Sequence, residues 1–256
     1  MELPPNRFKQ RLLALQSQIG LWCTLSTAYT VEAVAGAGFD WLLLDTEHSP
    51  GDVLSVMSQL QALSGFSQVS PVVRPATNDP VLIKRFLDIG ARSLLIPYVQ
   101  TPEEARAAVA ATRYPPNGIR GVSAISRATQ FGRYADYARK ADAEIAVLVQ
   151  IETQVGLNAL EGIAAVDGVD GIFIGPADLA ASLGHIGQLG HPDVVRAVED
   201  AIHRAGKCGK PAGILTTDPA FAARCIELGT IFTAVGVDAA LLARGADALA
   251  RQFRAS

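Results

Sequence analysis

The amino-acid sequence predicts a closed (β/α)₈ barrel, also called a TIM barrel, formed by a single domain over residues 1–256. The chain length fits the roughly 250 residues typical of this fold. Short apolar segments that resemble buried strands alternate with alanine-rich segments that resemble amphipathic helices. An open, doubly wound sheet is the alternative, but the glycine-rich loop that usually follows its first strand is absent from this sequence.

Eight segments are predicted to be strands because they are short and rich in Val, Ile and Leu. Such segments are apolar almost throughout, as expected for parallel strands that are covered on both faces. In chain order they are 20–25, 41–45, 69–74, 93–97, 145–151, 171–174, 211–215 and 231–235.

Helices are predicted between the strands, for example over 102–112, 192–205 and 219–228. Thr101-Pro-Glu-Glu104 supplies a capping residue, a first-turn proline and early acids, and Asp218-Pro219 repeats the device. The longest irregular stretch, from Tyr114 to about Gly132, precedes the fifth strand. Loops of this length are often functional or contact a partner.

Charge, hydropathy and cysteine content argue against a nucleic-acid-binding, membrane or secreted protein. The formal charge of −3 gives no basic surface for nucleic acid. The sequence contains no apolar run of the roughly 18 residues that a membrane span needs, and its N-terminus lacks a signal-peptide core. Cys23, Cys208 and Cys225 are widely spaced and are interpreted as buried thiols in a reducing compartment. We therefore expect a cytoplasmic protein with neither a nucleic acid nor a membrane partner.

Two carboxylates provide the first indication of a functional site. Glu152 closes the fifth strand and Asp178 follows the sixth. If the strands are parallel, both acids lie at the same end of the barrel, where their charges repel unless a cation neutralises them. A hard divalent metal ion is the simplest occupant.

Other polar residues are predicted at the same rim, where barrel enzymes place their catalytic groups. They follow the carboxyl ends of different strands and are Ser26, Asp45, Glu47, His48, Arg74, Tyr98, Gln150, Thr216 and Asp238. No lysine ends a predicted strand, which argues against a Schiff-base mechanism.

Four of the residues at the rim also have a structural interpretation. His48 could cap the next helix, and Arg74 could be a structural partner of an acid. Glu152 could be a helix N-terminal acid, which the helix dipole favours, and Asp178 could be a cap. Several further residues are interpreted as surface groups without a function: Asp88, His185, His191 and His203.

Six short motifs follow one another along most of the chain. They are Asp45-Thr-Glu-His48, Arg74-Pro75 with Asn78-Asp-Pro80, Leu87-Asp-Ile-Gly-Ala91, Tyr114-Pro-Pro-x-Gly-Ile-Arg-Gly121, Gln150-Ile-Glu-Thr153 and Gly175-Pro-Ala-Asp-Leu179. Together they resemble the HpcH/HpaI family of metal-dependent (class II) pyruvate aldolases. The resemblance extends from about Gly20 to Arg251. It implies a barrel of the phosphoenolpyruvate/pyruvate type that forms a homohexamer, with the last helix exchanged between subunits.

The resemblance implies roles for the residues at the rim. Glu152 and Asp178 would bind Mg²⁺, Mn²⁺ or Co²⁺, and Gln150 would contact bound pyruvate. His48 would be the base, Arg74 would stabilise the enolate oxygen, and Asp45 would be a partner of this pair. A further acid, Asp88, matches a family residue that raises the basicity of the histidine.

The substrate pocket is also implied by the resemblance. The backbone N–H groups of Ala177 and Asp178, in the turn that contains Gly175 and Pro176, would hold the pyruvate carboxylate. Leu215 would line the pocket. Trp22, the 47–51 loop and the segment around 120–127 are expected to line the aldehyde side.

The implied function is reversible cleavage of a 4-hydroxy-2-oxo acid to pyruvate and an aldehyde through a metal-bound pyruvate enolate. The family precedent is 4-hydroxy-2-oxoheptane-1,7-dioate with succinate semialdehyde, which implies a role in aromatic-compound catabolism. The sequence leaves open a 2-dehydro-3-deoxy-sugar-acid substrate. Further alternatives are a thioester lyase, an oxaloacetate decarboxylase and a non-catalytic binding barrel.

Overall fold

Eight parallel strands form a closed barrel in chain order, which confirms the predicted fold. The computed structural model describes residues 1–254, and the last two residues of the predicted domain lie outside them. The strands are β1 Gln18–Cys23, β2 Trp41–Asp45, β3 Ser70–Arg74, β4 Ser93–Ile96, β5 Ala146–Ile151, β6 Gly171–Ile174, β7 Ala212–Leu215 and β8 Thr230–Val237.

Twelve helices are described within residues 1–254. They are α1 Arg7–Leu13, α2 Ala28–Ala35, α3 Val53–Leu63, α4 Pro80–Asp88, α5 Pro102–Thr112, α6 Tyr137–Glu144, α7 Gln154–Asn158, α8 Leu160–Ala164, α9 Pro176–Ser182, α10 Pro192–Lys207, α11 Pro219–Glu227 and α12 Asp238–Arg254. The predicted capping box at Thr101 is present, and Asp218 caps α11. None of the helices in the described range has the length and hydropathy needed to span a membrane.

An aromatic cluster fills the end of the barrel where the strands begin. Phe8 of α1 packs edge-on against Trp41 and Phe232, with ring centroids 5.9 and 6.0 Å apart. Gly20 is required beside this cluster, because a Cβ at this position would lie 2.2 Å from the Trp41 ring. Helix α1 therefore closes the barrel floor, a role that the sequence analysis did not predict.

The last helix leaves the barrel. The Asp238 carboxylate at its start accepts hydrogen bonds from the N–H groups of Thr24 and Leu25, at 2.8 and 3.2 Å. Asp238 is the single buried residue of α12 among those described. Four large apolar side chains of this helix are exposed: Leu241, Leu242, Leu249 and Phe253.

Candidate active site

An Arg–Asp pair links β2 and β3 at the carboxyl end of the barrel. Asp45 and Arg74 are register partners, and Arg74 donates from Nε and Nη2 to the two Asp45 oxygens at 2.8 and 2.7 Å. The Trp22 indole N–H lies 3.3 Å from Asp45 Oδ2, and the guanidinium stacks 4.9 Å from the Trp22 ring centroid. Burial raises the pKa of Asp45, but the hydrogen bonds and charge of Arg74 more than offset it and hold the pKa below its ordinary value.

The third guanidinium nitrogen of Arg74, Nη1, points toward Glu47 and Gln150. Arg74 Nη1 lies 2.7 Å from Glu47 Oε2 and 3.5 Å from Gln150 Oε1. Burial is the largest cause that raises the pKa of Glu47, and the nearby charge of Arg74 only partly offsets it. Glu47 was predicted at the rim, in the loop expected to line the aldehyde side, but it was given no catalytic role. Its position between Asp45 and His48 in one motif was the available signal.

Glu152 is buried and lacks a cationic partner among the described residues. Its carboxylate accepts the Tyr98 backbone N–H at 2.8 Å and the Gln150 side-chain amide at 2.5 Å. Tyr98 itself has a left-handed φ of 54°, which positions this N–H after β4. Burial, followed by the negative charge of Glu47, raises the pKa of Glu152 to about 7, and the charge of Asp178 adds to the effect.

The first turn of α9 approaches Glu152 closely. A Cβ at Gly175 would lie 2.6 Å from Glu152 Oε2 and 2.9 Å from Gln150 Nε2, so only glycine fits between them. No side chain caps α9. Ala177 and Asp178 lie in its first turn, and backbone N–H groups there have no acceptor within the helix. Gly175 therefore brings the first turn of α9, with Asp178 and two free backbone donors, close to Glu152.

A cavity of about 220 Å³ lies between these groups. Its walls contain most of the predicted site residues: Trp22, His48, Arg74, Gln150, Gly175, Pro176, Ala177, Asp178 and Leu215. Three further lining residues were not predicted: Phe173, Leu189 and Thr217. Phe173 points inward as a core residue, and Leu189 comes from the loop after α9. Neither carried a signal in the sequence.

Three of the rim residues do not cap a helix. Asp52, not His48, caps α3, and the His48 side chain is 66% exposed with Nε2 4.0 Å from Glu47 Oε2. Thr153, not Glu152, caps α7. Asp178 makes no capping hydrogen bond in α9. Helix capping therefore does not account for any of these three side chains.

Asp88 and the 120–127 segment, both predicted to act at the site, lie at the other end of the barrel. Asp88 ends α4, where the chain returns to the start of β4, and it pairs with Arg120 at 2.9 Å. The 120–127 segment follows α5 and precedes β5, so it also lies at the amino end of the strands. As a correction to the expected aldehyde pocket, this segment does not line the cavity of its own chain, because the cavity lies at the opposite end of the barrel.

Comparison with known proteins agrees with this geometry. Residues 18–245 match the model of the family HpcH/HpaI aldolase/citrate lyase. The chain is 68% identical over 253 residues to a pyruvate aldolase of Rhizobium etli, with 99% of each chain covered. It is 55% identical to a 4-hydroxy-2-oxo-heptane-1,7-dioate aldolase of Klebsiella pneumoniae, with 97% of this chain and 94% of the relative covered.

A solved structure shows the same fold. An HpcH/HpaI aldolase/citrate lyase family protein from Burkholderia cenocepacia superposes with a TM-score of 0.94 at 42% identity, covering 97% of this chain and 99% of that one. The barrel, its acid-rich mouth and these matches define the protein as a carbon–carbon lyase of the aldolase type. The chain belongs to the HpcH/HpaI aldolase/citrate lyase family, which confirms the resemblance found in the sequence motifs.

Proposed function

We propose that the protein is a metal-dependent aldolase that cleaves 4-hydroxy-2-oxo acids reversibly to pyruvate and an aldehyde. The observation that supports this most directly is the proximity of two carboxylates at the mouth of the barrel. Asp178 lies in the cavity wall with Gln150, and its negative charge helps to raise the pKa of Glu152, which lies directly behind Gly175. The relative that is 55% identical carries the name of an aldolase for 4-hydroxy-2-oxo-heptane-1,7-dioate, which makes this compound our first candidate substrate. Its products would be pyruvate and succinate semialdehyde.

The donor set fits a divalent ion. Two carboxylates, with water completing the coordination shell, form an oxygen-rich site that Mg²⁺, Mn²⁺ and Co²⁺ accept. Burial and the negative charges of Glu47 and Asp178 raise the pKa of Glu152, so a cation beside it would stabilise the ionised form. Glu152 and Asp178 would hold the ion. When bound, it would supply Lewis-acid polarisation of the 2-oxo group.

The residues of the chain account for the remaining requirements of the reaction. The N–H groups of Ala177 and Asp178, at the positive end of α9, would bind the substrate carboxylate. Arg74, fixed by Asp45, would stabilise the negative charge that develops on the enolate oxygen. Trp22 and Leu215 would form the apolar wall of the pocket.

The base would be His48, which lines the cavity and has an exposed imidazole. It would take the proton from the C4 hydroxyl, and the C3–C4 bond would then break to release the aldehyde. The electron pair of that bond would remain on the enolate of pyruvate, which takes up a proton at C3 to give pyruvate. Condensation would follow the same path in reverse. A role for Asp88 in raising the basicity of His48 would require a second copy of the chain, because the two residues lie at opposite ends of one barrel.

We further propose a homohexamer in which α12 is exchanged between subunits. Its exposed apolar side chains lack a partner within the described chain. We also propose that the enzyme works in the cytoplasm, because its three cysteines are free thiols.

The test is pyruvate release from 4-hydroxy-2-oxoheptane-1,7-dioate, measured with and without EDTA. We expect turnover that EDTA abolishes and Mn²⁺ or Mg²⁺ restores. Asp178→Asn should lower metal affinity steeply, because it removes one of two anionic ligands. Activity that is unaffected by chelator, or Asp178→Asn with unchanged metal affinity, would refute the metal assignment. Turnover of sugar-acid analogues alone would refute the substrate.

A further inference from the structure

A second group of metal-ligating side chains lies outside the candidate active site. His185 and His191 are in the loop between α9 and α10, and Asp193 is in the first turn of α10. His185 Nε2 lies 3.4 Å from Asp193 Oδ2, and His191 Nδ1 lies 3.7 Å from the same oxygen. One possible ligand atom from each residue lies within 4.8 Å of the other two.

We propose that His185, His191 and Asp193 form a second metal site that prefers Zn²⁺ or Ni²⁺ and is separate from the Glu152–Asp178 site. Ligand atoms bound at about 2.0–2.1 Å in tetrahedral geometry lie roughly 3.3–3.4 Å apart. The two observed distances to Asp193 are close to this separation. Two imidazoles and one carboxylate, with positions left for water, form a common donor set for such ions.

Hydrogen bonds already orient two of the ligands. Asp193 Oδ1 is paired with Arg196, which leaves Oδ2 facing the imidazoles. The Asp193 backbone N–H donates to His191 Nδ1 at 3.2 Å, so that nitrogen carries no proton, as a metal ligand requires. Metal binding through His191 Nδ1 would replace this hydrogen bond, whereas binding through its other nitrogen would retain it.

The rings need a small rearrangement. The His185 and His191 rings stack with centroids 3.6 Å apart and planes 16° apart, so one ring must turn before both lone pairs reach a single ion. Their side chains are 24% and 32% exposed, which leaves room for this rotation.

The surroundings determine which ion is favoured. Arg196 and the positive end of α10 both oppose a cation, so attraction to the single carboxylate is partly cancelled. Affinity must therefore come from the imidazoles, which bind Zn²⁺, Ni²⁺ and Cu²⁺ well and Mg²⁺ poorly. The oxygen-rich pair Glu152 and Asp178 has the opposite preference. An ion at the histidine site would fix the loop that carries Leu189, a residue of the active-site wall.

The test measures Ni²⁺ binding to full-length protein by equilibrium dialysis in the presence of excess Mg²⁺. The double variant Glu152→Gln/Asp178→Asn isolates the proposed site, and we expect it to retain about one Ni²⁺ per chain. Adding His185→Ala and His191→Ala should weaken this binding at least about tenfold. His203→Ala is the matched control, because its exposed imidazole on α10 contacts Glu199 and lies outside the cluster; it should change nothing.

A spectroscopic readout separates ligation from folding. Cu²⁺ bound to the Glu152→Gln/Asp178→Asn protein should show hyperfine coupling to imidazole nitrogen in its electron paramagnetic resonance spectrum. The inference is independent of the reaction proposed above. It is overturned if the intact cluster shows no nitrogen coupling, or if Ni²⁺ binding follows Glu152 and Asp178 instead of the histidines.

Discussion

Arg74 shows how a structural ion pair can also fix a side chain for the proposed chemistry. Its Nε and Nη2 atoms bind Asp45 in a two-point contact, so the plane of the guanidinium is fixed. Nη1 then remains directed toward Glu47 and Gln150, at the cavity. A lysine could not make the two-point contact and still present a charge there. Arg74 is therefore positioned before any substrate arrives.

His48 is the residue whose removal tests the proposed chemistry most directly. We expect His48→Ala to lower kcat/KM for cleavage by roughly two to four orders of magnitude, because a general base is lost. Metal affinity should stay unchanged, since His48 is not a proposed ligand. Steady-state kinetics and metal titration give the two readouts, with His203→Ala as a control for loss of a surface imidazole. A near-normal rate for His48→Ala would assign proton transfer to another group.

As a proposed metal ligand, Glu152 should make metal binding sensitive to pH. Its pKa in the metal-free protein is raised to about 7, so the carboxyl group is mostly protonated at pH 6 and ionised at pH 8.5. A bound cation requires the ionised form, so Mn²⁺ binding should release close to one proton at pH 6 and few at pH 8.5. Calorimetry in buffers with different ionisation enthalpies measures this difference. In Glu152→Gln the pH-dependent release should disappear, and equal release at both pH values in the wild type would contradict the assignment.

At the scale of elements, buried apolar strands were predictable and polar strand ends were not. β2 and β6 have the predicted bounds, because every residue in them is buried. β1 begins two residues earlier than expected, at Gln18, whose side chain donates to the Phe8 carbonyl group within the core. β8 includes Thr230, whose hydroxyl pairs with that of Thr233 at 2.8 Å. These polar residues are buried because each finds a hydrogen-bond partner in the folded interior. A local sequence pattern does not show such partners.

Helix α1 was missed because seven residues give too little periodicity, yet its packing predicts a large effect on stability. Phe8 is fully buried between Trp41 and Phe232. Phe8→Ala should lower the free energy of unfolding by about 3–5 kcal/mol, because a large buried ring is lost and a cavity remains. Chemical denaturation measures the change. Leu13→Ala, at an exposed position of the same helix, is the control, and a similar small loss in both variants would show that α1 does not stabilise the barrel.

At the scale of the whole molecule, the sequence predicted which residues meet at the carboxyl end of the barrel. It did not predict which residues lie at the opposite end. The carboxyl ends of parallel strands must meet, so the convergence of Glu152, Asp178 and Arg74 followed from topology. Asp88 and the 120–127 segment were placed by motif order alone, and motif order does not tell one barrel end from the other. If either contributes to catalysis, it does so for a neighbouring copy, which makes assembly a condition of full activity.

The exposed face of α12 provides the test of that assembly. Leu242 and Leu249 lie on one side of the helix and Asp247 on the other, since residues seven apart share a face. In the proposed hexamer, Leu242→Ser/Leu249→Ser should reduce the particle mass below about six times the 26.9 kDa chain mass, because the apolar contact that α12 would make with a neighbouring subunit is lost. Asp247→Ser should leave the mass unchanged. Light scattering after size exclusion measures both. An unaltered mass in the leucine variant would mean that α12 does not hold the subunits together, and any catalytic role of Asp88 would then need a different interface.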